Sequence, residues 1–280
     1  MGYFQDKKIL ITGAGSGVGR RMALTMAREG AALIVWDINP TAVEKVLEEL
    51  RLASNAHHFG DVCDVSDSKM VHEKAQRVIE EAGRVDILIN NAGVVSGKSF
   101  LDCSEQEITR TMSINTMALF WTTRAFLPAM IRRNSGHVVT LASAAGLVGV
   151  AKLADYSASK FAAVGFDEAL RAELKKKAPG VKTTVICPFY ITTGMFAGVK
   201  TRFPFLLPIL DESYAAEKMV RAIEHRRPRL IMPPLVHAIP LLRILPVSVF
   251  DWVAGFFGVN VSMEHFTGRT PKKGEETHGA

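Results

Sequence analysis

Uninterrupted runs of aliphatic residues recur along the chain, separated by longer stretches in which apolar and polar residues alternate at helical spacing. Lys8–Thr12, Ala32–Asp37, Ile87–Asn90, His137–Ala142 and Lys182–Cys187 have the continuously apolar, β-branched character of strands covered on both faces. Gly17–Glu29, Pro40–Leu52, Asp67–Ala82, a segment around Ile108–Met130, and Ser157–Lys176 read as the helices between them. Ala56–Asp61 reads as a sixth, more polar strand. Strand and helix in alternation imply right-handed crossovers and a doubly wound parallel α/β sheet. With 280 residues, 48% of them hydrophobic, one large core in a single domain is expected.

The pattern changes at Pro233. Pro233, Pro234, Pro240 and Pro246 punctuate a segment rich in Leu, Ile, Val and Phe, in which Arg243 and Asp251 interrupt any apolar span long enough to cross a bilayer. The expected organisation is a catalytic domain over residues 1–232 with a substrate loop at about 189–213, an apolar extension over 233–267, and a disordered tail over 268–280. The extension is expected to fold against the substrate loop or a second subunit; an interfacial membrane element is the less favoured alternative.

Net charge is +6. From Pro234 to Ala280, Lys and Arg balance Asp and Glu, so the excess positive charge belongs to the main domain. The basic clusters Lys175–Lys177 and Arg226, Arg227, Arg229 read as solvated helix ends, and no nucleic-acid recognition motif accompanies them. Cys63, Cys103 and Cys187 are far apart, and His57 and His58 stand adjacent without further clustered ligands, so neither a disulfide framework nor a metal site is expected. The first strand begins almost at the first residue, and Asp6 stands where a myristoylation pattern needs Ser or Thr. The expectation is a cytoplasmic protein without leader or anchor, with peripheral contact at a membrane surface as the alternative.

Candidate chemistry lies at the strand ends. Gly13, Gly15, Gly17 and Gly19 follow the first strand and open a helix, the context in which a glycine turn lets a pyrophosphate approach free backbone N–H groups. Counted from Gly13, Val18 takes the last slot of G-x-G-x-x-G, so the run from Thr12 fits T-G-x-x-x-G-x-G instead; Gly13, Ser16, Gly17, Val18 and Gly19 are its candidate contacts. Asp37 ends the second strand, where a carboxylate accepts ribose hydroxyls and repels a 2′-phosphate, which favours NAD over NADP. Asp64, after the third strand, can accept from an adenine amine or cap a turn. Tyr156 and Lys160 are four apart, on one face of a helix, where an ammonium can lower a phenol's pKa and make it a proton donor.

Thr12 to Gly19, Asn90-Asn91-Ala92-Gly93, Asn115, Ser143, Tyr156 with Lys160, and Pro188 occur in the order and approximate spacing of the short-chain dehydrogenase/reductase family, which the chain resembles from Lys7 to about Met232. The resemblance implies a Rossmann-type fold and a role for each residue. Tyr156 is then the general acid or base, Lys160 lowers its pKa and holds the nicotinamide ribose, and Ser143 hydrogen-bonds the same substrate oxygen. Asn115 holds a water in a proton path toward Lys160, and Asn91, Ala92 and Gly93 shape the adenosine side. Pro188, Ile191 and Thr193 flank the carboxamide, although Phe189 replaces the family's usual glycine.

Segments such as Phe126-Leu-Pro-Ala-Met130 and Leu153 to Ala163 are similar to the retinol and 17β-hydroxysteroid dehydrogenase branch, whose members generally carry an N-terminal anchor. The family pairs subunits through the helices containing Asn115 and Tyr156, implying a homodimer or homotetramer. The loop after Thr193, with Met195, Phe196, Phe203, Phe205 and Leu206, suits a lipophilic alcohol or carbonyl compound: a retinoid, a steroid or a long-chain secondary alcohol. A 3-oxoacyl reductase and a catalytically silent NAD-sensing protein are the alternatives.

Overall fold

The computed structural model describes residues 2–268. The tail expected to be disordered therefore falls, apart from Gly268, outside the described residues. The chain runs β1 (Lys8–Thr12), α1 (Gly17–Arg28), β2 (Ala32–Asp37), α2 (Pro40–Ala53), β3 (Phe59–Val62), α3 (Ser68–Ala82), β4 (Ile87–Asn90), α4 (Glu105–Met112), α5 (Ala118–Arg132), β5 (Gly136–Leu141), α6 (Ala154–Lys177) and β6 (Val181–Pro188). It continues through α7 (Glu212–Glu224), β7 (Arg229–Met232), α8 (Ile239–Leu242) and α9 (Val247–Phe256).

All strand pairs are parallel, in the order β3-β2-β1-β4-β5-β6-β7. Both faces of this sheet are covered, which is why its strands are continuously apolar rather than alternating. Along β1, Ile9 and Ile11 enter one core with Met22, Met26 and Leu33, while Leu10 between them enters the other with Ile34, Trp36 and Phe126. Helix starts follow local side-chain chemistry: Asn39 caps α2, Asp67 caps α3, Ser104 and Glu107 form a reciprocal capping box on α4, and Asp211 caps α7.

The observed elements depart from expectation in three places. The polar strand lies at Phe59–Val62 instead of Ala56–Asp61, because His58 accepts from Leu33 N–H (3.1 Å) and only from Phe59 onward does the chain pair with β2. The helix expected around Ile108–Met130 is divided: between α4 and α5 lies one π turn, Ser113–Met117, containing Asn115. α7 and β7 were not anticipated. Of the Arg226, Arg227, Arg229 cluster, Arg226 and Arg227 follow the C-cap of α7 and are exposed, the solvated helix end expected, while Arg229 opens β7 and pairs with Glu168; Arg226 also lies over the Tyr3 ring at 5.2 Å.

β1 pairs with β2 on one side and β4 on the other, so successive crossovers leave the sheet in opposite directions at this point. The carboxyl ends of the strands open there into a crevice, the standard ligand position in a doubly wound sheet.

Candidate active site

The crevice is a cleft of about 340 Å³. It gathers every residue expected to bind the cofactor: Gly13, Ser16, Gly17, Val18 and Gly19 from the β1–α1 turn, Asp37 and Asp64 from the ends of β2 and β3, and Asn91, Ala92 and Gly93 after β4. Ser143, Tyr156, Lys160, Pro188, Ile191 and Thr193 complete the opposite end. Asn115 does not line it.

The turn after β1 is fastened to the chain after β4. Thr12 Oγ1 accepts from Asn91 N (3.0 Å) and Ala92 N (3.1 Å), while Asn91 Nδ2 donates to the carbonyls of Thr12 (2.8 Å) and Gly13 (2.9 Å). Gly19 allows α1 to approach this junction: a Cβ there would stand 2.6 Å from Gly13 O and 2.5 Å from Asn91 Nδ2. Gly17, at the first position of α1, has φ +56°, and among the described residues a Cβ there would meet the Thr193 side chain at 3.5 Å, so the backbone on that side stays open to a ligand. Val18 in place of a glycine is accommodated because its side chain packs against the core beside α1.

Asp37 is held by its neighbours. Its carboxylate accepts from Gly15 N (2.8 Å) and Asn39 N (3.0 Å), which aims it into the cleft, while capping of α2 falls to Asn39. Asp64 accepts from the backbone and hydroxyl of Ser66 (2.9 and 2.7 Å), a turn-capping geometry that still leaves it on the cleft wall. The donor set fits a nicotinamide dinucleotide: amides and helix dipole for the pyrophosphate, a fixed carboxylate at one end for ribose hydroxyls, and an ammonium at the other.

That ammonium is Lys160. It is buried among the described residues, donates to Leu141 O at 2.9 Å, and burial pushes its pKa down to about 8. A lysine has three N–H donors, and the described residues provide Leu141 O as its hydrogen-bond acceptor. Its Nζ lies 5.6 Å from the Tyr156 ring centroid.

Tyr156 departs from expectation. Burial raises its pKa, and the group that draws it back down is Ser143, with Lys160 making no comparable contribution. Ser143 is positioned at the end of β5, where its hydroxyl accepts from Ala145 N (3.1 Å) and reaches Pro188 O (3.4 Å).

The Asn115 side chain is held on two sides. Its Oδ1 accepts from Val94 N (2.9 Å), and its Nδ2 donates to Val94 O (2.9 Å) and Ser159 Oγ (3.0 Å). Ser159 in turn donates to Tyr156 O (2.7 Å), so the side-chain amide fastens the segment after β4 to the helix carrying Tyr156. The π turn that presents Asn115 here is a feature that recurs at functional sites.

A second cavity, of about 100 Å³, adjoins the cleft and is walled by apolar side chains of the loop after β6 and of the extension, including Leu207, Leu235, Ile239, Phe250 and Phe257. Ser143, Tyr156, Phe189 and Phe196 line both spaces. Phe196 stands edge-on to Tyr156, with centroids 5.6 Å apart. The extension is tied over the loop by Tyr190 OH with Ser262 Oγ (2.8 Å) and by Lys200 N donating to Ser262 O (3.2 Å). It folds against the substrate loop, one of the two arrangements expected from the sequence. Arg110 of α4, which lines the cleft near Asp64 and Ile38 at the adenosine end, had no sequence signal to mark it.

Comparison with known proteins agrees with this geometry. The short chain dehydrogenase family model matches residues 7–202, and the chain belongs to that family. Over 266 residues it is 47% identical to epidermal retinol dehydrogenase 2 of Mus musculus, spanning 94% of this chain and 86% of that protein. It is 40% identical over 286 residues to retinol dehydrogenase 10 of Homo sapiens, with 92% and 84% covered. A short-chain dehydrogenase/reductase from Burkholderia phymatum in complex with NAD superposes with a TM-score of 0.78 at 29% identity, over 87% of this chain and 95% of that one. A metagenomic short-chain oxidoreductase in complex with NADP gives 0.67 at 25%, over 79% and 91%. The protein is thus an oxidoreductase that uses a nicotinamide cofactor on alcohols or their carbonyl counterparts.

Thr12→Val replaces the shared acceptor by a methyl and leaves two N–H groups unpaired beneath the cleft. At roughly 1–3 kcal/mol for each unsatisfied donor, urea denaturation should show a loss of about 2–6 kcal/mol and calorimetry a weaker affinity for NAD. Thr12→Ser, which keeps the hydroxyl, should recover most of both.

Proposed function

We propose that the protein moves a hydride between NAD and a lipophilic alcohol or its aldehyde or ketone, with Tyr156 as general acid or base. The observation that carries this reading is the apolar cavity meeting the dinucleotide cleft at Ser143 and Tyr156. Bound nicotinamide supplies the hydride acceptor in oxidation and the hydride donor in reduction. In oxidation, the alcohol oxygen sits between the Ser143 hydroxyl and Tyr156. Deprotonated Tyr156 takes the O–H proton as the carbon gives up its hydride, and the carbonyl that forms keeps its hydrogen bond to Ser143. Reduction runs the same transfers backward. Lys160, buried with donors to spare, holds the ribose hydroxyls beside Tyr156, and Thr193 with Ile191 flanks the carboxamide.

Retinoids, steroids and long-chain secondary alcohols share the required shape: one oxygen on an extended apolar body. The likeness to retinol dehydrogenases favours a retinoid-like alcohol among these. The enclosed cavity, about 100 Å³, is smaller than the roughly 300 Å³ at which pockets for drug-sized ligands begin, so a substrate of that size displaces Phe196 or part of the extension as it binds. A 3-oxoacyl reductase is less well supported because Asp37 opposes NADPH, and the assembled Ser143, Tyr156 and Lys160 set disfavours a silent NAD sensor.

Tyr156→Phe should lower turnover of a lipophilic alcohol by roughly two to four orders of magnitude while NAD still binds, since the ring packing is retained. Near wild-type turnover would remove Tyr156 as the acid or base.

The pH dependence follows from Ser143. Oxidation needs deprotonated Tyr156, so the rate rises with pH through its pKa. Ser143 is what draws that pKa down, so Ser143→Ala should move the rising limb of kcat/KM to higher pH as well as slow the reaction. A limb that stays in place would assign the titration to another group.

Cofactor choice is decided at Asp37. A carboxylate fixed by Gly15 and Asn39 repels a 2′-phosphate, so kcat/KM should be higher with NAD than with NADP, and Asp37→Ala should narrow the gap. Arg110 on the same end of the cleft would favour a phosphate, and equal or better kinetics with NADP would assign that end to Arg110 instead.

A further inference from the structure

The segment that follows β4 has no regular structure of its own. Among the described residues, no backbone group of residues 92–98 is hydrogen-bonded to another backbone group, so side chains from elsewhere hold the segment in place. Thr12 holds Ala92 N, and Asn115 holds both Val94 N and Val94 O. Lys98, at the exposed end, pairs with Glu107 (2.7 Å). The remaining fastener is Asp155, whose carboxylate accepts from the Ser96 hydroxyl (2.8 Å) through one oxygen and from the Thr111 hydroxyl (2.8 Å) through the other. One side chain in the first turn of α6 thereby ties together the segment, α4 and the helix that carries Tyr156.

Asp155 differs from the other buried carboxylates. Asp61 pairs with Lys74 and Arg77, and Asp167 with Arg171, but among the described residues no cation lies within ion-pair distance of Asp155. Withdrawing a carboxylate from water without a cation is costly, and here two hydroxyl donors and the N-terminal dipole of α6 offset the cost. What these bonds fasten is a wall of the active site. Gly93 passes so close to Lys160 that a Cβ there would stand 3.6 Å from Nζ, Val94 lines the cleft, and Val95 packs on the cluster of Tyr156, Tyr190 and Met263. A side chain at Gly97 would collide with the Phe266 ring. Residues 93–97 are therefore the wall along which the Lys160 end of the dinucleotide cleft meets the residues around Tyr156.

We propose that Asp155 is a positioning residue for the hydride transfer: through Ser96 it holds the wall at residues 93–97 so that nicotinamide and the alcohol carbon meet at the separation the transfer requires. Asp155 lines neither the cleft nor the apolar cavity, so it acts only through the groups it holds. The contacts expected for the pyrophosphate and the adenosine ribose lie at the β1–α1 turn and Asp37, away from Ser96. Loosening the wall therefore reduces turnover far more than cofactor affinity. The role in turnover rests on the proposed reaction; the immobilisation of the nicotinamide end does not.

The test compares Asp155→Ala, Ser96→Ala, the double variant and Asp155→Asn with the wild type, each well below its melting temperature. With NAD and a lipophilic alcohol, Asp155→Ala should lower kcat roughly ten- to a hundredfold, the scale of a displacement of about 1 Å, while the Kd for NADH stays within about threefold. Ser96→Ala should lose nearly as much, and the double variant no more than Asp155→Ala alone, because both remove one fastening. Asp155→Asn, whose amide can accept from one hydroxyl and donate to the other, should recover most of kcat. Without any substrate, the emission of NADH bound to Asp155→Ala or Ser96→Ala should be less anisotropic than that of NADH bound to the wild type, because the nicotinamide has lost its wall. Ser96→Ala, at a half-buried site, carries the test if Asp155→Ala does not fold. A lower melting temperature with kcat and anisotropy unchanged, or additive losses in the double variant, would overturn the proposal. A wild type that oxidises no lipophilic alcohol, with the anisotropy falling in the variants as expected, would instead count against the proposed reaction alone.

Discussion

The Thr12 hydroxyl is the point on which the active end of the sheet depends. Parallel strands at a switch point diverge beyond their last ladder bonds, and the backbone groups that emerge there would be unpaired in a cleft that must admit a charged ligand. One side-chain oxygen accepting from two successive amides, and one side-chain amide donating to two successive carbonyls, satisfy both chains at once. The glycine turn can then be shaped by its ligand instead of by the need to close its own hydrogen bonds, and Gly19 keeps the helix near enough for its free N–H groups to face the cleft.

At the other end the controlling quantity is burial. Tyr156 and Lys160 are withdrawn from water together, and the neutral form of each is favoured: the phenol's pKa rises and the ammonium's falls to about 8. The two pKa values, close together in water, are thereby driven past each other, so that Lys160 gives up its proton at a lower pH than Tyr156. Position is supplied from outside the pair, by Ser159 on the Tyr156 carbonyl and Asn115 on Ser159, and this chain of bonds requires the extra residue of the π turn.

The fold was legible in the sequence wherever a strand is buried on both faces, because such a strand has no polar positions to blur it; β1, β2 and β4 fall where the apolar runs do. β7 was not, since an edge strand of four residues opening on Arg229 carries too little apolar signal, and its neighbour α7 is read only from the Asp211 cap and a short amphipathic face. The candidate cofactor residues were legible as a set because they lie at strand ends in chain order. What the spacing of Tyr156 and Lys160 did not reveal is that their shared burial would outweigh their mutual charge. Nor could it reveal that Asn115 would spend its amide on Val94 and Ser159, or that Arg110 would face the adenosine end.

The two spaces of the active site divide the chain's labour along its length. The cleft is drawn from every strand end between β1 and β6, so a change in one of its residues disturbs the sheet as well as the ligand. The apolar cavity is walled mostly by segments after β6, with Ala144 to Leu153 between β5 and α6 closing the rest, and only Ser143, Tyr156, Phe189 and Phe196 belong to both. Residues of the loop and extension can therefore vary in size and contour without moving the proton-transfer pair, and their apolar outer surface can vary with them. A cofactor half fixed by backbone geometry and a substrate half fixed by side-chain packing is the arrangement in which one reaction is retained while the alcohol it acts on changes.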